Sequence, residues 1–203
     1  MIIDLTLRLN EDTPVYPGDP PLKITNTEKF ESDGYLGHNL SMGTHAGTHI
    51  DAPAHMIEGG KTLDAFTADR FVGRGCYILV KDKTFNLDDI KAADIQEGDI
   101  VIFNTQMSYK LRDEEYFHDY PAMTEEIARY LVERKVGMVG VDTCSIDNQD
   151  GFPIHKLLLG NDILIIENLT NVEQLDGMEA RIYALPIKTD LDGSPARVIA
   201  EVR

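Results

Sequence analysis

GTHAGTHIDAPAH, residues 43–55, gives Gly-Thr-His twice and then runs through an acid to a third histidine. The chain has six histidines in 203 residues. His45, His49 and His55 all fall in this stretch, with Asp51 among them. A four-residue spacing would put His45 and His49 on one helical face, but Gly47 between them and Pro53 beyond them argue against a helix. The expected form is a tight turn followed by an extended piece, in which His49 and Asp51 point to the same side. Neutral imidazoles with a carboxylate form a mixed nitrogen and oxygen set that suits zinc or manganese. Two histidines and one acid also leave positions open for water, as in catalytic sites. Thr44 and Thr48 offer hydroxyls that orient ligands. His55, past Pro53, is read as an acid/base that takes a proton from metal-bound water and returns it to a leaving group. Histidines scattered on a polar surface loop are the bland alternative, and they explain an H-x3-H-x-D-x3-H array poorly.

A second pointer is FPIHKLLLGNDILIIENL, residues 152–169. Glu167 falls in a strongly apolar strand, on the face it shares with Ile163 and Ile165. Burying a carboxylate there is costly unless a cation or good hydrogen bonds compensate; the alternative is a strand end already emerging into solvent. His155 stands earlier, at the start of a short helix. Together His155 and Glu167 could complete a second metal, with Asp51 bridging two ions about 4 Å apart.

Around these clusters the chain reads as mixed α and β, strand-rich, in a single domain over 1–203. Strands are expected over Ile2–Leu9, Leu22–Phe30, His38–Gly43, Cys76–Lys81, Asp99–Asn104, Val136–Val141 and Asp162–Leu169. Arg181–Ile187 and Arg197–Val202 bracket an Asp-Gly turn as a terminal hairpin. Thr67–Phe71 reads as a short helical turn. Asn86 and Thr124 read as caps of the helices LDDIKAAD and EEIARYLVERK, and a short helix around HKLLLG stops at Gly160. One strand-helix-strand unit is expected, in the middle. Four prolines and a glycine make VYPGDPP and its flank a rigid loop, with Tyr16 inside it.

Composition sets the outer bounds. With 42% hydrophobic and 27% charged residues, the chain is that of an ordinary globular protein able to bury about 70% of its unfolded surface. A net charge of −16 repels phosphate backbones and anionic membranes, which excludes nucleic acid as a partner. No apolar run approaches the roughly 20 residues that span a bilayer. The N-terminus shows no secretory signal. Cys76 and Cys144 form no CxxC, which fits a reduced, cytoplasmic setting.

HAGTHIDAPAH, residues 45–55, resembles the signature of the cyclase family of metal-dependent hydrolases, which takes in the bacterial kynurenine formamidases and the isatin hydrolases. The likeness runs on through PVYPGDP, VDTCSID, FPIHKLLL and ENL, over nearly the whole chain. It implies a swivelling β/β/α fold and a homo-oligomer, dimer or tetramer. It implies two divalent ions, zinc ahead of manganese, on His45, His49 and a shared Asp51, with His155 and Glu167 on the second and His55 as proton donor and acceptor. It implies a small-molecule substrate, N-formylkynurenine or a similar aryl formamide, hydrolysed by attack of metal-bound hydroxide. The formamidase pattern has a substrate-contacting tryptophan in the Pro-rich loop. This chain has Tyr16 there and no tryptophan anywhere, which gives Tyr16 the substrate-binding role.

Three function classes follow: an amide hydrolase, a hydrolase that opens cyclic amides or lactones with the same metals, and a metal-binding module without turnover. Cys144 reads as a buried inert thiol rather than a nucleophile, and His38 and His118 as structural or surface residues. Residues 112–117 are a lid candidate.

Overall fold

The computed structural model describes all 203 residues. The chain opens with a short strand, β1 (Ile2–Asp4), then the proline-rich loop. A separate antiparallel pair follows, β2 (Lys23–Glu28) and β3 (Gly37–Ser41), with the helical turn α1 (Phe30–Asp33) between them. The histidine-rich stretch delivers β4 (His49–Asp51). Next come β5 (Val72–Leu79), α2 (Leu87–Ala92), β6 (Ile100–Asn104), α3 (Glu115–His118), α4 (Glu125–Glu133), β7 (Met138–Val141), α5 (Pro153–Leu159) and β8 (Leu164–Glu167). The hairpin β9 (Ala180–Pro186) and β10 (Gly193–Val202) ends the chain.

Strands β5, β6, β7 and β8 pair in parallel, in that order. Three strand-helix-strand crossovers therefore replace the one expected; α2 and α5 have only six and seven residues, too few to announce a helical period. Both helix starts read from sequence hold. The Asn86 side chain accepts from the N–H groups of Asp88 and Asp89 at 2.8 and 3.1 Å, and Thr124 Oγ1 accepts from Ile127 N–H.

The parallel strands are apolar on both faces because both are covered. Val101, Phe103, Val139 and Ile165 pack outward against Ile127 and Leu131 of α4 and Ile154 and Leu158 of α5. Ile100, Ile102, Leu164 and Ile166 face the other way, meeting Ile50, Ile182 and Val198. That second core is the inside of a barrel. Strand β8 pairs with β4, β4 with β10, β10 with β9 and β9 with β5, so seven strands close on themselves. Closure removes the sheet edges that would otherwise pair with other chains.

The first strand is shorter than the alternation over residues 2–9 suggests. Only Ile2–Asp4 pairs with β10, and Thr6 adds one bridge to Leu169. The chain then turns away because Leu7 N–H donates to Thr48 Oγ1 at 2.8 Å, tying it to the histidine stretch. No helix is long and apolar enough to cross a membrane.

Candidate metal centre

Strand β4 fixes the geometry of the site. Ile50 enters the barrel core, so its neighbours His49 and Asp51 share the opposite face. Register places His49 across from Glu167 on β8, and Asp51 across from Gly193 on β10. The two sequence clusters thus meet on one outer face of the barrel. The tight turn before β4 is built on Gly47, at φ 64°, where a Cβ would lie 2.4 Å from Leu9 Cδ2.

Each of the three candidate ligand histidines has one ring nitrogen engaged by an oxygen. His49 Nδ1 lies 2.8 Å from the Gly47 carbonyl. His155 Nδ1 lies 2.8 Å from Asp147 Oδ2, which also accepts the His155 backbone N–H. His45 Nε2 lies 3.0 Å from Asp192 Oδ2. The remaining nitrogens converge on two acids. His45 Nδ1 and His49 Nε2 are 2.8 and 3.2 Å from Asp51 Oδ1, and His155 Nε2 is 3.6 Å from the other oxygen, Oδ2. Glu167 divides the same way, Oε1 at 3.2 Å from His155 Nε2 and Oε2 at 3.5 Å from His49 Nε2.

Asp51 is fully buried and Glu167 is 5% exposed, so the strand-end alternative for Glu167 falls away. Burial alone would raise the pKa of Asp51, but His49, His155 and His45 hold it well below the usual carboxylate range. Burial and Asp51 push Glu167 up, and His155 and His49 reverse that to a net lowering. Conversely, burial opposes charge on His49, yet Asp51 and Glu167 carry it up to about 10. His155 and His45 are raised too, against burial, by Asp147, Asp51 and Glu167 around the first and by Asp51 around the second. His55 moves down, chiefly through burial. The acids thus call for positive charge at their centre.

Protons on the histidines do not satisfy every atom. His49 Nε2 and Asp51 Oδ2 are buried with no hydrogen-bond partner, because the short approaches to them are misaligned or too long. Orphaned buried polar atoms are rare in folded proteins. Three imidazole nitrogens and two carboxylates with such orphans at the centre fit divalent cations. A structural zinc site instead closes on four ligands and excludes water.

His55 ends a short 3₁₀ turn, Pro53–His55. Its ring centroid lies 3.9 Å from that of His45 and 6.0 Å from that of His155, and its Nδ1 is 3.3 Å from Asp192 Oδ2. The residues holding the rings from behind, Asp147, Asp192 and the Gly47 carbonyl, escaped the sequence reading. In sequence, Asp192 signals only an Asp-Gly turn, and Asp147 within DTCSID signals nothing.

A cavity of about 450 Å³ opens onto these histidines. Tyr16, Phe117 and Phe152 line it with Ser145 and Asn168, and no lysine or arginine does. Tyr16 begins a turn closed by Asp19 N–H on the Tyr16 carbonyl at 3.0 Å. Gly18, at φ 102°, supplies the positive φ that such a turn requires after Pro17. The rings of Tyr16 and Phe117 meet edge-on at 6.4 Å. Phe117 comes from α3, within the expected lid region, and the Tyr116 hydroxyl anchors that helix on Asn168 Oδ1 at 2.7 Å. Beyond the lid region that contains Phe117, nothing in the sequence marks Phe117 or Phe152 as cavity-lining, since lone aromatics give no periodic signal.

His38 and His118 are exposed, as expected. Cys144 is buried, 3.2 Å from the Tyr116 carbonyl, and burial pushes its thiol up to about 12. Cys76 is likewise pushed up, to about 11. Since the thiolate is the reactive form, native protein at pH 8 should show no fast-reacting thiol in a disulfide-exchange titration, and two after denaturation. One fast thiol before denaturation would return Cys144 to the list of candidate nucleophiles.

The Cyclase family model matches residues 3–148. Kynurenine formamidase of Bacillus mycoides is 32% identical over 207 residues, covering 97% of this chain and 95% of that protein. Isatin hydrolase A from Ralstonia solanacearum superposes with a TM-score of 0.88 at 28% identity, over 98% of this chain and 91% of that one. A solved structure described as a potential metal-dependent hydrolase with cyclase activity gives a TM-score of 0.80 at 35% identity, covering 98% and 96%.

Proposed function

The chain belongs to the cyclase family of metal-dependent hydrolases, and from that premise we propose that it hydrolyses an N-formyl arylamine such as N-formylkynurenine to the amine and formate. The carrying observation is the division of Asp51, with Oδ1 toward His45 and His49 and Oδ2 toward His155, beside an aromatic-walled cavity. Divalent ions, zinc ahead of manganese, held by His45, His49, Asp51, His155 and Glu167 would supply a water ionised near neutral pH and a polarised carbonyl.

The rest is the work of side chains. Tyr16 and Phe117 take the aryl half of the substrate and leave the small formyl group to reach the buried acids. As the water oxygen bonds to the formyl carbon and the C–N bond breaks, His55 takes the proton of the water and delivers it to the departing nitrogen. No step consumes anything beyond the water. The likeness to a kynurenine formamidase in sequence supports this substrate.

One observation favours a second reading, a hydrolase of cyclic amides or lactones. The cavity has no lysine or arginine to meet an amino-acid carboxylate, and Tyr16 is smaller than tryptophan. A neutral bicyclic amide would need no such partner. The test is kcat/KM for N-formylkynurenine against isatin and simple lactones on metal-reconstituted protein. The formamide should lead, and Tyr16→Ala should weaken it by the roughly 0.5–1.5 kcal/mol of an aromatic contact, about 2- to 12-fold. A cyclic substrate ahead by tenfold, or indifference to Tyr16→Ala, would remove the formamidase assignment and leave the hydrolase.

A further inference from the structure

The tip of the β9–β10 hairpin reaches into the site from the opposite end of the chain. Asp192 sits there, half-buried, and the backbone around it is tied down. Its carbonyl accepts Ala52 N–H at 2.8 Å, Leu191 O accepts Leu63 N–H at 3.2 Å and Thr189 O accepts Asp64 N–H at 3.0 Å. These bonds lash the tip to the segment that carries His55. The Asp-Gly sequence has a steric reason beyond the turn: a Cβ on Gly193 would lie 2.6 Å from His45 Cε1.

The carboxylate of Asp192 is shared between two histidines of different assigned roles. Thr44 Oγ1 donates to Oδ1 at 3.2 Å. Oδ2 lies 3.0 Å from His45 Nε2 and 3.3 Å from His55 Nδ1. A carboxylate can only accept, so each of those ring nitrogens carries the hydrogen. For His55 this leaves Nε2 bare to exchange a proton. For His45 the other nitrogen, Nδ1, also faces an acceptor, Asp51 Oδ1 at 2.8 Å. It is bare only when a cation takes the place of its proton, and Asp192 then keeps the hydrogen on Nε2. Ring nitrogens left to solvent would be free to swap tautomers, and the wrong tautomer disables a ligand and a base alike.

We propose that Asp192 is a positioning residue that sets both tautomers at once, presenting His45 Nδ1 to the metal and His55 Nε2 to the substrate. This rests on reading His45 as a ligand and His55 as the acid/base. It assigns Asp192, 137 residues from His55 in sequence, the coupling of metal binding to proton transfer. The groups behind metal-ligating histidines typically change metal affinity or activity by about 10–100-fold when removed.

The experiment compares zinc-loaded wild type with Asp192→Ala and Asp192→Asn. It uses long-range ¹⁵N–¹H NMR of the histidine rings, zinc affinity by chelator competition, and kcat and KM on the best substrate found. Wild type should show His55 as the Nδ1–H tautomer. Asp192→Ala should shift His55 toward Nε2–H, weaken zinc binding about 10–100-fold and lower kcat with little change in KM. Asp192→Asn, with its amide oxygen in the place of Oδ2 and its NH₂ toward the Thr44 hydroxyl, should keep the Nδ1–H tautomer and recover most zinc affinity. In a His55→Ala background, Asp192→Ala should still weaken zinc binding and add no further loss of kcat. An Nε2–H tautomer for His55 in wild type, or a tautomer untouched by Asp192→Ala, would overturn the proposal. So would an Asn variant as impaired as Ala, which would make the charge of Asp192 the active quantity. Because the NMR and zinc measurements need no substrate, failure of the formamide assignment would leave them readable.

Discussion

Replacing His55 with alanine is expected to leave zinc stoichiometry unchanged and to lower turnover by about 10²–10⁴-fold, the usual contribution of a positioned acid/base. The separation of effects follows from geometry. His55 lies beside the cluster, 3.9 Å from the His45 ring, yet its hydrogen-bonded nitrogen engages Asp192 rather than Asp51 or Glu167. His45, Asp51 and His55 do offer atoms close enough to share an ion, so a ligand role for His55 is the live competitor. Elemental analysis decides between them: a His55→Ala variant that comes out metal-depleted makes His55 a ligand. The same variant tests for a metal-binding module without turnover. If wild type and variant are equally inactive on formamides, cyclic amides and lactones while both hold metal, that module is the better description.

How much of this was open to sequence reading depends on how local each relation is. His45, His49, Asp51 and His55 are one short segment whose turn and strand follow from Gly47 and Pro53, so their convergence was legible. Glu167 was legible as an acid at an apolar strand position, and its burial bears that out. What joins the two clusters is the antiparallel register of β4 with β8. Strand β4 has three residues, too short for any alternation to show. Closure of the barrel was hidden for the same reason, since it runs through β4 and through the long β10, which serves several neighbours at once. The orienting acids were hidden by distance: His45 and Asp192 are 147 residues apart, and no pattern in one segment announces a partner in the other. Local chemistry was readable, and the back side of each imidazole was not.

Asp51→Asn should have the largest effect of any single change, because on the proposed ligand set both ion positions would draw on this one side chain. Asparagine keeps the shape but replaces one acceptor oxygen with a donor NH₂. Whichever way the amide turns, either Oδ1, facing His45 and His49, or Oδ2, facing His155, becomes a donor aimed at a ligand nitrogen. The buried negative charge that would draw cations inward also disappears, leaving Glu167 as the only acid among the candidate ligands. Wild-type protein purified without chelator should carry two divalent ions per chain, and Asp51→Asn fewer than one. Its activity loss should exceed the roughly 10–100-fold typical of groups that only orient ligands. Chelation of the wild type should reproduce that loss, with recovery on adding zinc or manganese, whereas adding metal should not rescue the variant. A wild-type stoichiometry near one would return Glu167 and His155 to a structural ion pair. An Asp51→Asn protein still holding two ions would mean that Asp51 does not bridge, and the division of its two oxygens between the histidines would then reflect packing alone.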